Sequence, residues 1–276
     1  MYFCLGEQVK RFMNRVLYIL LSVVAFASCA NSYNIQGSSN VSTLDGQKLY
    51  LKVVNEDNVK DIDSCDVVHG QFLFNGTIDS IRMANIYMDE QSILPVVLES
   101  GDITIKINDT QQSIGGTPLN DKLYAFLKSF GQLQNEAMEL VHKHDQAIMN
   151  GKDMDQVVRQ LAEQDANINK QLDELVTSFV KENYDNVLGP GVFMMVTVDY
   201  PYPVLTPWIE DIMSKATSNF KNDPYVREYM AAAQRNQDIM NGMAEPSTTA
   251  PAAPGTVEGS AAPPPTPAEL ASDSLR

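Results

Sequence analysis

The chain has 276 residues, of which 44% are hydrophobic, and its 35 Asp and Glu outnumber 20 Lys and Arg to give a formal net charge of −15 at pH 7. Binding to phosphate backbones needs clustered Lys and Arg, and here the cations are scattered among a larger number of carboxylates, which argues against nucleic acid as a partner. Three cysteines in this length leave no room for a disulfide framework.

The first element is a secretory leader. Residues 16–26 form an apolar run preceded by Arg15 and closed by Ala27-Ser28-Cys29, which are the positive, apolar and small-residue parts of an export signal. The run falls well short of the ~20 apolar residues a membrane-spanning helix needs. A cysteine just after the cut is what lipoprotein maturation requires, because its thiol takes the diacylglycerol and the freed amine can then be acylated. Cys29 is therefore the expected lipidation site, with residues 1–28 as signal peptide and 29–33 as tether. Phe26 is bulkier than the Leu or Val usual at its position, and a plain secretory signal is the alternative. Loss of Lys10, Arg11, Arg15 and Glu7 with the leader takes the formal charge from −15 to −17. An acidic surface gains nothing from anionic headgroups, so the lipid must supply the membrane attachment. Ala30-Asn31-Ser32 lacks the acidic run that surface-exported lipoproteins often carry, so a periplasm-facing anchor in the outer membrane of a Gram-negative envelope is expected.

Residues 34–116 read as a β domain. Leu49, Leu51 and Val53 alternate with Tyr50, Lys52 and Val54, Phe72 and Phe74 alternate with Leu73 and Asn75, and further short runs span residues 83–88, 94–99 and 103–107. Turn signals stand between them at Asp45-Gly46, His69-Gly70, Asn75-Gly76 and Ser100-Gly101. Several short strands at this spacing predict an antiparallel β-sandwich or partly open barrel. At Thr117-Pro118 the period changes: Thr suits an N-cap, Pro the first helical position, and Leu119, Leu123, Phe126, Leu127 and Phe130 recur at helical spacing. That helix is expected to run to Asn150-Gly151, and a second one over residues 154–183 to pack against it as an antiparallel hairpin. Leu188-Gly189-Pro190-Gly191 reads as a break before a short helix or strand at 192–198, with the helix favoured. Thr206-Pro207 and Asp223-Pro224 open two further helices, and the helical region of the α+β fold spans 117–242. Residues 243–276 read as a disordered tail, because residues 244–276 hold seven of the fourteen prolines and almost no large apolar residue.

No catalytic, cofactor-binding or metal residue is assigned. The chain has no Gly-x-Ser-x-Gly elbow, phosphate loop, Gly-x-Gly-x-x-Gly or His-Glu-x-x-His. His142 and His144, two apart on a helix, diverge by about 200° and read as solvated, while His69 reads as a turn residue. Asp61, Asp63 and Asp66 lack the register of a calcium loop and read as a solvated strand face. With Cys4 and Cys29 accounted for, Cys65 is the one free thiol, expected as a small buried core residue. Tyr200, Tyr202 and Trp208 among their prolines are expected to pin the helical region onto the sheet, with a small-ligand or glycan groove along 200–208 as the lower-ranked alternative. Asp79-Ser80-Ile81 and Asp273-Ser274-Leu275 carry an Asp-Ser/Thr-apolar pattern that resembles the O-glycosylation signal of some Gram-negative envelope proteins. This marks Ser80 and Ser274 as candidates.

Three segments carry a family resemblance. Ile62-Asp63-Ser64-Cys65-Asp66-Val67-Val68-His69-Gly70-Gln71-Phe72-Leu73-Phe74-Asn75-Gly76, Leu98-Glu99-Ser100-Gly101-Asp102-Ile103-Thr104-Ile105 and Ile114-Gly115-Gly116-Thr117-Pro118-Leu119-Asn120 resemble an uncharacterised domain. It is the N-terminal domain of many envelope lipoproteins that precedes an AhpC/TSA or TlpA/ResA-type thioredoxin-like domain. The segment Phe179 to Asp185 resembles its helical part. The family's longer members continue into Trp-Cys-x-x-Cys, whereas the only Trp here precedes Ile209-Glu210-Asp211, so thiol-disulfide exchange does not carry over. The resemblance implies the accessory domain alone.

The sequence thus suggests a lipid-anchored interaction or structural module without a catalytic site of its own, needing no cofactor, its partners being the membrane through Cys29 and an envelope protein. The alternative is a docking or tethering subunit for a separately encoded thioredoxin-like oxidoreductase. Truncation after Gly242 is expected to leave the melting temperature of the body unchanged, measured by circular dichroism, because the tail has almost no apolar surface to pack.

Overall fold

The computed structural model describes residues 31–55, 58–108, 111–198 and 200–244. The leader, Cys29, Ser274 and most of the tail lie outside the described residues.

Eight strands form two open four-stranded sheets. They are β1 (Ser32–Ser39), β2 (Lys48–Asn55), β3 (Asn58–Asp66), β4 (Gln71–Thr77), β5 (Arg82–Met88), β6 (Gln91–Leu98), β7 (Gly101–Ile107) and β8 (Gln112–Gly115). One sheet has the order β4-β1-β7-β8 and the other β3-β2-β5-β6. The α+β class and the open sandwich follow the expectation, with one departure: β1 pairs with β7 in parallel, which makes the first sheet mixed. The intervening strands of the other sheet supply the crossover that a parallel pair requires. Strand β1 also begins at Ser32, inside the stretch assigned to the tether, and Tyr33 is already buried.

Alternation places Ile35 of β1, Leu49 and Leu51 of β2, Phe74 of β4, Ile86 of β5, and Ile103 and Ile105 of β7 in one core between the sheets. His69 and Gly70 both take positive φ, 51° and 70°, in the two-residue turn between the bridged Val68 and Gln71, as Asn-like and Gly residues do in tight hairpins. Asn75-Gly76, in contrast, is not a turn but lies within β4. Gly76 is there for space, since a Cβ would stand 2.8 Å from the Tyr33 hydroxyl oxygen.

Six helices follow: α1 (Pro118–Met149), α2 (Met154–Glu182), α3 (Leu188–Thr197), α4 (Pro207–Lys215), α5 (Ser218–Asn222) and α6 (Pro224–Met240). Helices α1 and α2 form the expected hairpin, with the Phe126 and Phe179 rings 4.5 Å apart. Farther out, the less exposed positions of α1 are Leu133, Ala137, Leu140, His144 and Ala147, alternating by four and three residues as in a coiled-coil seam. His144 is therefore half-buried rather than fully solvated, with Nδ1 3.5 Å from an Asp145 carboxylate oxygen, while His142 is exposed. Among the described residues, no helix is long and apolar enough to cross a membrane.

The expected break at Leu188-Gly189-Pro190-Gly191 is instead the first turn of α3. Pro190 falls among the first four residues, whose N–H groups have no intrahelical partner, so the ring costs no hydrogen bond. Gly189 lies where a Cβ would be 2.4 Å from the Asn183 carbonyl, and Gly191 where one would be 2.5 Å from Met83 of β5. These glycines let α3 approach the end of α2 and the outer face of the sheet. A second core then forms around Phe193, whose ring centroid lies 5.8 Å from that of Phe220 and 5.2 Å from that of Tyr229.

The helical layer is joined to the sandwich at β6. This strand is the edge of its sheet, which is also where Pro95 is tolerated. Leu94, Val96 and Leu98 enter the sandwich core, while Val97 enters the helical core. The Asn120 side chain completes the edge: its Oδ1 accepts from Val97 N–H at 2.9 Å and its Nδ2 donates to Val97 C=O at 2.8 Å. Glu99 Oε1 accepts from the Leu119 and Asn120 N–H groups at 2.8 and 3.1 Å, so an anion caps the N-terminus of α1. Thr117 makes no such cap; its hydroxyl instead accepts from Asn120 Nδ2 at 2.8 Å.

Asn120→Ala strands both Val97 backbone groups in a buried joint. Each unsatisfied group costs about 1–3 kcal/mol. The variant is expected to lose several kcal/mol, read as a shift of the urea midpoint, whereas Asn34→Ala, which removes an exposed bond to Asp102, is expected to stay within about 1 kcal/mol.

Candidate ligand cleft between sheet and helices

Between β6 and the helices lies a cleft of about 1170 Å³. Leu94 and Pro95 of β6, with Asn108 and Gln111 of the β7–β8 connection and Gln112 at the start of β8, form one side. Helix α1 contributes Tyr124, Leu127, Lys128 and residues 130–135 apart from Leu133, and α2 contributes Asn169, Leu172, Asp173 and Val176. Met195, Val196, Tyr200 and Trp208 close the far end. The sheet–helix joint produces this space, because α1 is held to the sheet at its first turn and α2 to α4 pack against α1 farther along.

The side chains that shape the cleft are fixed from behind. The Tyr124 hydroxyl accepts from Gln111 Nε2 at 2.8 Å, tying α1 to the β7–β8 connection. Trp208 packs with its ring centroid 6.0 Å from Phe193. The Tyr229 hydroxyl accepts from Val204 N–H at 3.2 Å and donates to Val204 C=O at 3.1 Å, and Asn236 donates to Pro203 C=O at 2.8 Å. These bonds clamp the proline-rich link that carries Tyr200 and leads into Trp208. The Tyr184 hydroxyl donates to Ile212 C=O at 2.6 Å. Lys181 pairs with Asp211, and this hydrogen bond holds the Asp211 carboxyl below the usual range.

Among the described residues, Lys128 and Asp173 are the charged members of the lining, against the carboxamides Asn108, Gln111, Gln112, Gln132, Gln134, Asn135 and Asn169. Burial pushes the Asp173 carboxyl up. Burial also raises the Tyr200 hydroxyl, with Asp173 adding to the effect and the Trp208 indole opposing it. The arrangement offers aromatic faces and groups that both donate and accept hydrogen bonds.

Of the residues singled out in the sequence, Tyr200 and Trp208 come together here. Asn120, Glu99, Val97 and the Met83–Gly191 contact hold the helices to the sheet, and Trp208 belongs to the same core that Val97 enters from the sheet, with Tyr200 packed against it. Tyr202 is half-buried outside the lining. Cys65 is half-buried against the sandwich core rather than enclosed by it, because β3 is an edge strand; desolvation raises its thiol pKa, opposed by a backbone hydrogen bond from Leu73. Asp61 is 3.6 Å from Lys52, Asp63 accepts from Ser64 N–H at 2.7 Å, and Asp66 is exposed. Among the described residues, no group of three or more His, Cys, Asp or Glu is placed to hold a metal ion. Ser80 is exposed between β4 and β5, its hydroxyl accepting from Arg82 at 3.0 Å. The sequence reading missed Tyr124 and the carboxamides of α1. The signal for the carboxamides was Gly131-Gln132-Leu133-Gln134-Asn135, an uncharged stretch with a glycine inside a long helix.

Residues 33–123 match the family model of DUF4369, a domain of unknown function. This stretch comprises the sandwich from Tyr33 onward, the joint and the first turns of α1. A search of curated proteins finds no match to the chain.

The Tyr184 and Tyr229 hydroxyls are pushed by burial from 10.0 up to about 12. Each is harder to ionise folded than unfolded, so the stability it contributes is complete below pH about 10 and is lost as the pH rises toward about 12. Unfolding free energy is expected to fall across that window, with a shallower fall for Tyr229→Phe; urea titrations at stepped pH measure it.

Proposed function

We propose that this protein is a lipid-anchored binding module of a bacterial envelope, facing the periplasm and without a catalytic site of its own, whose working surface is the cleft between the sandwich and the helical hairpin. The observation that carries the reading is the make-up of that cleft. Aromatic rings and carboxamides dominate the lining, and the Tyr124–Gln111 bond and the clamped link between Tyr200 and Trp208 fix part of it from behind, which is how binding sites are preorganised. Attachment rests on the lipobox ending at Cys29. Only Ala30 and Asn31 separate Cys29 from β1, and a chain of that length spans at most about 10 Å. A lipid on Cys29 would therefore hold the sandwich close against the membrane surface, with the acidic body outside the headgroups.

A second reading, as docking or tethering subunit for a separately encoded thioredoxin-like oxidoreductase, is favoured by the DUF4369 match over residues 33–123 together with the resemblance to domains that precede thioredoxin-like ones. Stoichiometric co-purification with such a protein encoded nearby would support it over the first.

Palmitate labelling and membrane partitioning are expected in the wild type and are expected to vanish in Cys29→Ala. Unchanged labelling of the variant overturns the anchor.

A further inference from the structure

We propose that the cleft receives a short stretch of neutral glycan, an uncharged, hydroxyl-rich chain lying along α1 across Gly131; the inference rests on reading the cleft as the binding surface. Gly131 is the observation that directs it. A glycine inside a helix costs about 1 kcal/mol relative to Ala, and glycines are normally explained by a positive φ or by a close neighbour. Gly131 has neither among the described residues: it lies in the helical body of α1, and a Cβ built on it meets none of their atoms within 4 Å. Its open side is part of the cleft lining. The missing side chain leaves bare helix backbone where a ligand can come close.

The chemistry around Gly131 selects the ligand class. Gln132, Gln134 and Asn135 follow it on α1, and Asn169 stands on α2. Carboxamides both donate and accept, which suits sugar hydroxyls, each of which also does both. A phosphate or carboxylate ligand would call for Arg or Lys in paired geometry, and among the described residues the one lining cation, Lys128, shares the cleft with Asp173 in a chain of net charge −15. Tyr124, Tyr200 and Trp208 supply flat apolar faces for the C–H faces of sugar rings. The volume of about 1170 Å³ exceeds the roughly 300–1,000 Å³ of small-molecule sites, which suits a chain of several units. An extended peptide would meet the same carboxamides. Peptides, however, commonly add a strand to an open sheet edge, and Asn120 already occupies the β6 edge at Val97.

The test titrates the mature full-length chain with chitotetraose and maltohexaose, followed by calorimetry and by the emission of Trp208, the only tryptophan. Saturable binding of at least one sugar with Kd below about 1 mM is expected. Binding should weaken about tenfold or more in Gly131→Leu, whose melting temperature should be unchanged or higher because Leu is the better helix former. A size-matched oligogalacturonate should bind about tenfold more weakly than the neutral sugar. Failure of both sugars, wild-type affinity in Gly131→Leu, or equal binding of the charged oligomer overturns the inference. Binding of a peptide copying residues 259–270 in place of the sugars, weakened by the same variant, overturns the glycan assignment and leaves the cleft as a docking surface. Loss of every binding signal removes both.

Discussion

The structure depends on one joint, in which the side chain of Asn120 pairs with both backbone groups of Val97 while Glu99 caps the helix that Asn120 belongs to. An edge strand presents unpaired N–H and C=O groups that must be satisfied once covered. A carboxamide reproduces a neighbouring strand's donor and acceptor together, on two separate atoms. Because Val97 points into the helical core while Val96 and Leu98 point into the sandwich, the strand stitched by this joint is shared by both cores. The direction in which α1 leaves the sheet is set there, and the cleft is the space that direction leaves.

The sandwich was legible because alternation and turn chemistry agree with each other through most of residues 44–107. Where the sequence misplaced a turn or a break, glycine was the cause, and for one physical reason. Gly46 and Gly70 have positive φ and mark turns, as local rules expect. Gly37, Gly76, Gly189 and Gly191 serve close approach instead: a Cβ on Gly37 would lie 2.0 Å from atoms of the Phe72 ring. Sequence rules read every glycine as punctuation, so a strand residue beneath a tyrosine looked like a turn and a helix start packed against its neighbour looked like a break. The parallel pairing of β1 with β7 was hidden for a different reason, because a long-range partner leaves no mark on local periodicity.

The cleft was scarcely legible, because its walls come from five separated stretches of chain and only the Tyr200 and Trp208 end carries a dense aromatic signal. The segments that resemble a known family turned out to mark the frame. His69-Gly70 is the hairpin turn between β3 and β4. Glu99 and Asn120 form the joint. Gly116, with φ 98° and its would-be Cβ 2.5 Å from the Asp102 carbonyl, lets the chain turn from β8 into α1.

That division has a consequence for how the fold carries function. The DUF4369 match ends at residue 123, three positions beyond Asn120, so it takes in the sheet, the joint and little of the helical wall. The aromatic lining residues and the carboxamides Gln132, Gln134, Asn135 and Asn169 lie beyond the match, while Asn108, Gln111 and Gln112 on the opposite side of the cleft lie within it. A joint made of one carboxamide and one carboxylate constrains the first turn of α1, Tyr124 ties the next turn to Gln111, and the remainder of the hairpin is held by its own seam and by the Phe193 core. The helical wall of the cleft is therefore built with little help from the joint, while the opposite wall, from β6 and the β7–β8 end, belongs to the frame itself.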